Sequence, residues 1–117
     1  MIAVVDDEES VRKALERLIR SAGFAVETFP SGSAFLESAQ YSRPSCVVLD
    51  LHMPDVNGFE VQVALSVSGS GVPVIVITGD DSPQSRALAY EQGASAYLGK
   101  PVDETMLLDA ISAAIGH

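Results

Sequence analysis

Apolar residues along this chain fall into two alternating kinds of pattern. Short, largely β-branched runs at Ile2–Val5, Ala25–Thr28, Cys46–Leu49, Val72–Ile77 and Ser95–Leu98 read as strands. Two of them, Cys46-Val47-Val48-Leu49 and Val74-Ile75-Val76-Ile77, are apolar without alternation, the pattern of central parallel strands covered on both faces. The stretches between have helical period. Val11, Leu15, Leu18, Ile19 and Ala22 share one face of a helix whose opposite face carries Arg12, Lys13, Glu16, Arg17 and Arg20. Gly23 supplies its stop. Ser31 caps a helix through about Ala39, and Gly58 begins one through about Ser66, followed by a flexible loop over Ser66–Gly71. Ser82 and Pro83 form an N-cap and N1 pair for a helix ending at Gly93. Asp103 caps the last helix, with Leu107, Ala110, Ile111 and Ala114 as its inner stripe.

The pattern is (βα)5. Right-handed crossovers place the helices on both faces of one doubly wound, five-stranded parallel sheet, so the expected fold is α/β and flavodoxin-like, a single domain over residues 1–117. Such a sheet binds ligands outside the carboxyl ends of its strands, where the strand order switches. Residues just after each strand should therefore converge. They are Asp6-Asp7, Asp50, Thr78-Gly79 and Lys100-Pro101. A lone Asp at such a position is most simply a helix cap. Three together are harder to account for that way, because two carboxylates about 4 Å apart repel by roughly 4 kcal/mol at an effective dielectric near 20. A metal cation, a lysine or a shared proton must offset that repulsion. Clustered carboxylates without sulfur or imidazole suit Mg²⁺, or Mn²⁺ in its place. Lys100, one of two lysines in the chain, falls at the same place instead of on a helix face.

Composition narrows the function. With 16 acidic and 7 basic residues the formal charge is −9, which disfavours nucleic acid or an anionic membrane as a partner of this segment. The one cysteine, Cys46, lies in an apolar run, where it reads as a small core residue in a reducing cytoplasm. No apolar stretch approaches the roughly 20 residues of a membrane span, and the opening Met1-Ile2-Ala3-Val4-Val5-Asp6-Asp7 lacks the basic start of a signal peptide.

Four motifs in register resemble the receiver domain of two-component response regulators, over essentially the whole chain. They are Val5-Asp6-Asp7-Glu8, Leu49-Asp50-Leu51-His52-Met53-Pro54-Asp55-Val56-Asn57-Gly58, Thr78-Gly79 and Lys100-Pro101. The resemblance implies that Asp50 accepts a phosphoryl group from a sensor histidine kinase or phosphotransfer protein. It implies Mg²⁺ held by Asp7, Asp50 and the backbone carbonyl of His52, with Asp6 acting mainly through water. Lys100, the Thr78 hydroxyl and the Gly79 amide would take phosphoryl oxygens, as phosphoryl transfer requires positioning and charge neutralisation. Thr78 and Tyr97 would form the switch, the Lys100–Pro101 peptide would be cis, and His52 and Asp80 would flank the phosphoryl group. The readout surface, and a possible homodimer contact, would be the last two helices with the last strand. The Asp50–Asp55 and Lys100–Asp103 segments look like those of regulators carrying a helix-turn-helix output domain.

Some of these residues and motifs admit more than one role. The basic residues of the first helix are most simply a solvated face, with a phosphodonor contact near Arg12 as the functional alternative. A haloacid-dehalogenase-type phosphohydrolase also uses an aspartyl phosphate, but puts an Asp-x-Asp nucleophile after the first strand, where this chain has Asp6-Asp7-Glu8. A flavodoxin-like cofactor binder needs a first turn rich in Gly, Ser and Thr, and here that turn is acidic. The expectation is a phosphoacceptor signalling domain, not an enzyme, with at most self-catalysed gain and loss of phosphate. A receiver-like binding module that no longer depends on phosphate is disfavoured, since all five functional positions hold the required residue types.

Overall fold

A computed structural model describes residues 1–39, 41, 43–54 and 56–116; Asp55 of the second motif lies outside the described residues. The elements alternate as β1 (Ile2–Val5), α1 (Glu9–Ser21), β2 (Val26–Phe29), α2 (Gly32–Ala39), β3 (Cys46–Asp50), α3 (Gly58–Ser68), β4 (Val74–Thr78), α4 (Pro83–Glu91), β5 (Ala96–Gly99) and α5 (Glu104–Ala114). The strands form one parallel sheet in the order β2-β1-β3-β4-β5. The chain builds outward from β1 to β2 and then crosses back to β3, so the switch point lies between β1 and β3.

Several elements differ from the sequence expectation by a residue or two, each for a local reason. β4 begins at Val74, not Val72, because Pro73 has no N–H to give; its carbonyl still accepts from Val47 N at 2.9 Å. The last three strands each run one residue further than expected, to Asp50, Thr78 and Gly99, so they reach into the site. α3 continues to Ser68 and ends on Gly69 in the left-handed conformation, which shortens the expected loop. The caps at Ser31, Ser82 and Asp103 are as expected, accepting from Ala34 N at 3.1 Å, Ser85 N at 3.0 Å and Met106 N at 2.9 Å.

Strand side chains alternate between two cores. Ile2, Val4, Val26, Cys46, Val48, Ile75 and Ile77 meet Leu15 and Ile19 of α1 and Leu107 and Ile111 of α5. On the opposite face, Ala3, Val5, Phe29, Val47, Leu49, Val74, Val76 and Tyr97 meet Phe35 of α2, Val61 and Leu65 of α3 and Ala89 of α4. Cys46 is fully buried, and burial pushes its thiol up to about 11, in keeping with a core residue. Gly58 is set by close approach: a Cβ there would stand 2.7 Å from the Asp50 carbonyl oxygen and 2.7 Å from Leu51 Cα. It lets α3 start directly against the end of β3. Among the described residues no helix is long and apolar enough to cross a membrane.

Candidate functional site

The register that aligns Val5 with Leu49 also brings the ends of β1 and β3 side by side. Asp6 continues the stripe of Ile2 and Val4, and Asp50 continues that of Cys46 and Val48, so both carboxylates lie on the α1/α5 side. One carboxylate oxygen each from Asp6, Asp7 and Asp50 lies within 4.8 Å of the others. Asp6 is fully buried, Asp50 is 2% exposed and Asp7 is exposed.

Asp6 is held firmly. Its amide donates to the Phe29 carbonyl at 3.2 Å, and its Oδ1 accepts from Glu8 N at 2.9 Å. Its Oδ2 lies 3.0 Å from Lys100 Nζ but receives no well-angled hydrogen bond. A buried carboxylate oxygen with an open lone pair, beside two more carboxylates, is a donor set that fits a hard divalent cation. Asp50 Oδ1 accepts from His52 N at 3.3 Å, and its Oδ2 is 3.6 Å from Lys100 Nζ.

Lys100 is positioned by sheet pairing that continues past the strand end: its amide donates to the Thr78 carbonyl at 2.7 Å, and the Lys100–Pro101 peptide is cis. Its ammonium is the counter-ion of the cluster. Burial works against that charge, but the carboxylates of Asp6, Asp50 and Glu8 together outweigh it and raise the lysine pKa. Asp50 is pushed up to about 6, first by burial and then by the Asp6 charge, with Lys100 pulling the other way.

Thr78 is fully buried at the end of β4, its Oγ1 accepting from Asp80 N at 3.1 Å. At Gly79 a Cβ would meet nothing closer than Lys100 Cδ at 3.9 Å, so open space lies beside the lysine. The His52 imidazole is half exposed, 4.0 Å from an Asp80 carboxylate oxygen. Tyr97 is buried on the opposite face with the Arg86 guanidinium 5.1 Å from its ring centre. Burial and the nearby Asp81 raise its pKa, and its hydroxyl has no hydrogen-bond partner among the described residues.

Sequence reasoning missed the contacts of four side chains. Glu8 stands at the N-cap of α1 without capping it; its carboxylate pairs with Lys100 at 3.2 Å instead. Arg12, read as part of a solvated face, donates from Nη1 to the Asp6 carbonyl at 2.8 Å. Arg20 likewise donates to the Val26 carbonyl at 2.8 Å. No sequence signal separates these two arginines from the exposed Arg17. Gln62 is buried in the α3 core stripe and donates from Nε2 to the Ala89 carbonyl at 3.1 Å, tying α3 to α4. A polar residue between Val61 and Leu65 was the available signal.

Comparison with known proteins agrees with this fold. The family model for the response regulator receiver domain matches residues 2–112. The response regulator protein TodT of Pseudomonas putida is 38% identical over 115 residues, 98% of this chain and 51% of TodT. The transcriptional regulatory protein TdiR of Thauera aromatica is 40% identical over 114 residues, 97% of this chain and 50% of TdiR. The crystal structure of FixJ-N superposes with a TM-score of 0.91 at 38% identity, covering 99% of this chain and 93% of that one. The chain spans about half the length of those two curated relatives. It belongs to the response regulator receiver domain family.

Proposed function

We propose that Asp50 is the phosphoacceptor of this receiver domain, taking its phosphoryl group from the phosphohistidine of a sensor kinase or phosphotransfer protein. Members of the family are signalling domains phosphorylated by a kinase. The observation that carries the reading is the meeting of Asp6, Asp7 and Asp50 with one ammonium at the carboxyl end of the sheet.

An Asp50 carboxylate oxygen forms the new bond to phosphorus as the P–N bond breaks, the electron pair leaving with the donor imidazole. With a pKa of about 6, Asp50 is mostly ionised and nucleophilic at neutral pH. Lys100 releases its hold on the acids to meet a phosphoryl oxygen; the Thr78 hydroxyl and the Gly79 amide serve another. Asp7, Asp50 and the His52 carbonyl would hold Mg²⁺, with Asp6 assisting through water. When bound, the cation supplies neutralisation of charge on the acids and on the transferred group. His52 and Asp80 stand at the rim, where their side chains influence water access.

The signal leaves through Thr78 and Tyr97 to the surface of α4, β5 and α5, where Leu88, Tyr90 and Met106 are exposed and available to a second copy or an output domain. Relatives that are transcriptional regulatory proteins, TdiR and FixJ among them, support an output that acts on transcription. The test is labelling by acetyl phosphate with Mg²⁺. Wild type should take up at most one equivalent and Asp50→Asn none. Labelling of Asp50→Asn at the wild-type level, or turnover of many equivalents of a phosphoester, would refute the reading.

A further inference from the structure

Asp7 has no hydrogen bond or ion pair of its own among the described residues, although its carboxylate completes the acidic triad. Something other than its own contacts must aim it. The turn that carries it is clamped on both sides: Asp6 by the sheet and by Glu8 N, and Glu8 by the first turn of α1, where its carbonyl accepts from Arg12 N at 2.9 Å. The Arg12 side chain closes this loop on itself. Its Nη1 reaches back, partly buried, to the Asp6 carbonyl at 2.8 Å, six residues earlier.

We propose that Arg12 is a positioning residue for the acidic pocket, holding the Asp6-Asp7-Glu8 turn in the conformation that brings its carboxylates to Asp50 for a divalent cation. The inference rests on the phosphoacceptor reading above and adds a residue to it. The neighbouring cations of α1 are otherwise engaged or unattached. Lys13 pairs with Glu9 at 2.9 Å, Arg20 pairs with Glu16 at 3.4 Å, and exposed Arg17 has no partner among the described residues.

Charge gives the idea a sign. Arg12 is a cation next to a cation site, so electrostatics alone makes its removal tighten metal binding. Positioning makes its removal weaken binding, since outer partners of metal ligands typically contribute about 10–100-fold in affinity. A contact with the phosphodonor protein would change neither metal binding nor labelling by a small-molecule donor.

The experiment measures Mg²⁺ affinity of the 117-residue chain by calorimetry for wild type, Arg12→Ala, Arg12→Met and Arg17→Ala. Arg12→Met keeps an unbranched aliphatic stem should the alanine variant not fold. Both Arg12 variants should bind about ten-fold more weakly, and Arg17→Ala should match wild type or bind slightly tighter. In acetyl phosphate labelling, the Mg²⁺ concentration for half-maximal rate should rise by the same factor while the rate at saturating Mg²⁺ returns to the wild-type plateau. Unchanged or tighter binding in a folded Arg12 variant overturns the proposal. So does failure of both variants to fold, which makes Arg12 a purely structural residue. Absence of Mg²⁺ binding by wild type instead defeats the phosphoacceptor reading itself.

Discussion

The two faces of the sheet end in different chemistry. On the α1/α5 face the apolar strand stripe runs into Asp6, Asp50 and Lys100, and the flanking helices are pinned by Leu15, Ile19, Leu107 and Ile111. On the opposite face the stripe runs into uncharged hydroxyls. Thr78 and Tyr97 lie under α4, a helix that buries a single residue, Ala89. The buried polar atoms left without partners on that face, Gln62 Oε1 and the Tyr97 hydroxyl, both border α4 through Ala89 and Arg86. Charge change is therefore concentrated on the α1/α5 face, and on the opposite face it is the part under α4, not that under α2 and α3, where little free energy suffices to rearrange packing. A coupling of about 1–3 kcal/mol is on the scale needed to shift a helix as lightly buried as α4.

The largest expected break of this contrast is Lys100→Met. It leaves Asp6 and Asp50 buried together without their ammonium, and should cost about 3 kcal/mol in urea unfolding at pH 7 with chelator present. A loss below about 0.5 kcal/mol, the usual worth of an exposed pair, would remove the lysine from its role as counter-ion.

Next comes Asp50→Asn under the same conditions. Folding raises the Asp50 pKa from 3.8 to about 6, so between those values the native chain keeps a proton the unfolded chain has lost. Wild-type stability should thus fall as pH rises through that window, as linkage requires. The asparagine variant escapes the penalty. It should be more stable by about 3 kcal/mol at pH 7 and gain nothing below the unfolded pKa. A gain that persists at low pH would mean Asp50 is not the group responsible.

The smallest effect tests the other face. Arg86→Ala removes the guanidinium over Tyr97 and should cost about 0.5–1 kcal/mol in unfolding. It should leave Mg²⁺ affinity unchanged, because no charged member of the acid cluster touches Arg86. A shift in metal affinity would show the faces to be coupled without phosphate.

Period and punctuation in the sequence determined which segments are strands and helices, and the motif register placed Asp6, Asp7, Asp50, Thr78 and Lys100 at strand ends. Both are legible because they rest on local rules: side chains alternate along a strand, repeat every 3.6 residues on a helix, and caps need specific side chains. Only the tertiary structure decided that the Glu8 side chain, at the N-cap of α1, pairs with Lys100 and not with the helix amides, that Arg12 turns back to the Asp6 carbonyl while Arg17 does not, and that Gln62 bridges to α4. Long polar side chains choose their partners by what folding brings within about 3 Å and by the penalty of leaving a buried group unmatched. Neither quantity exists until residues far apart in the chain have been packed together.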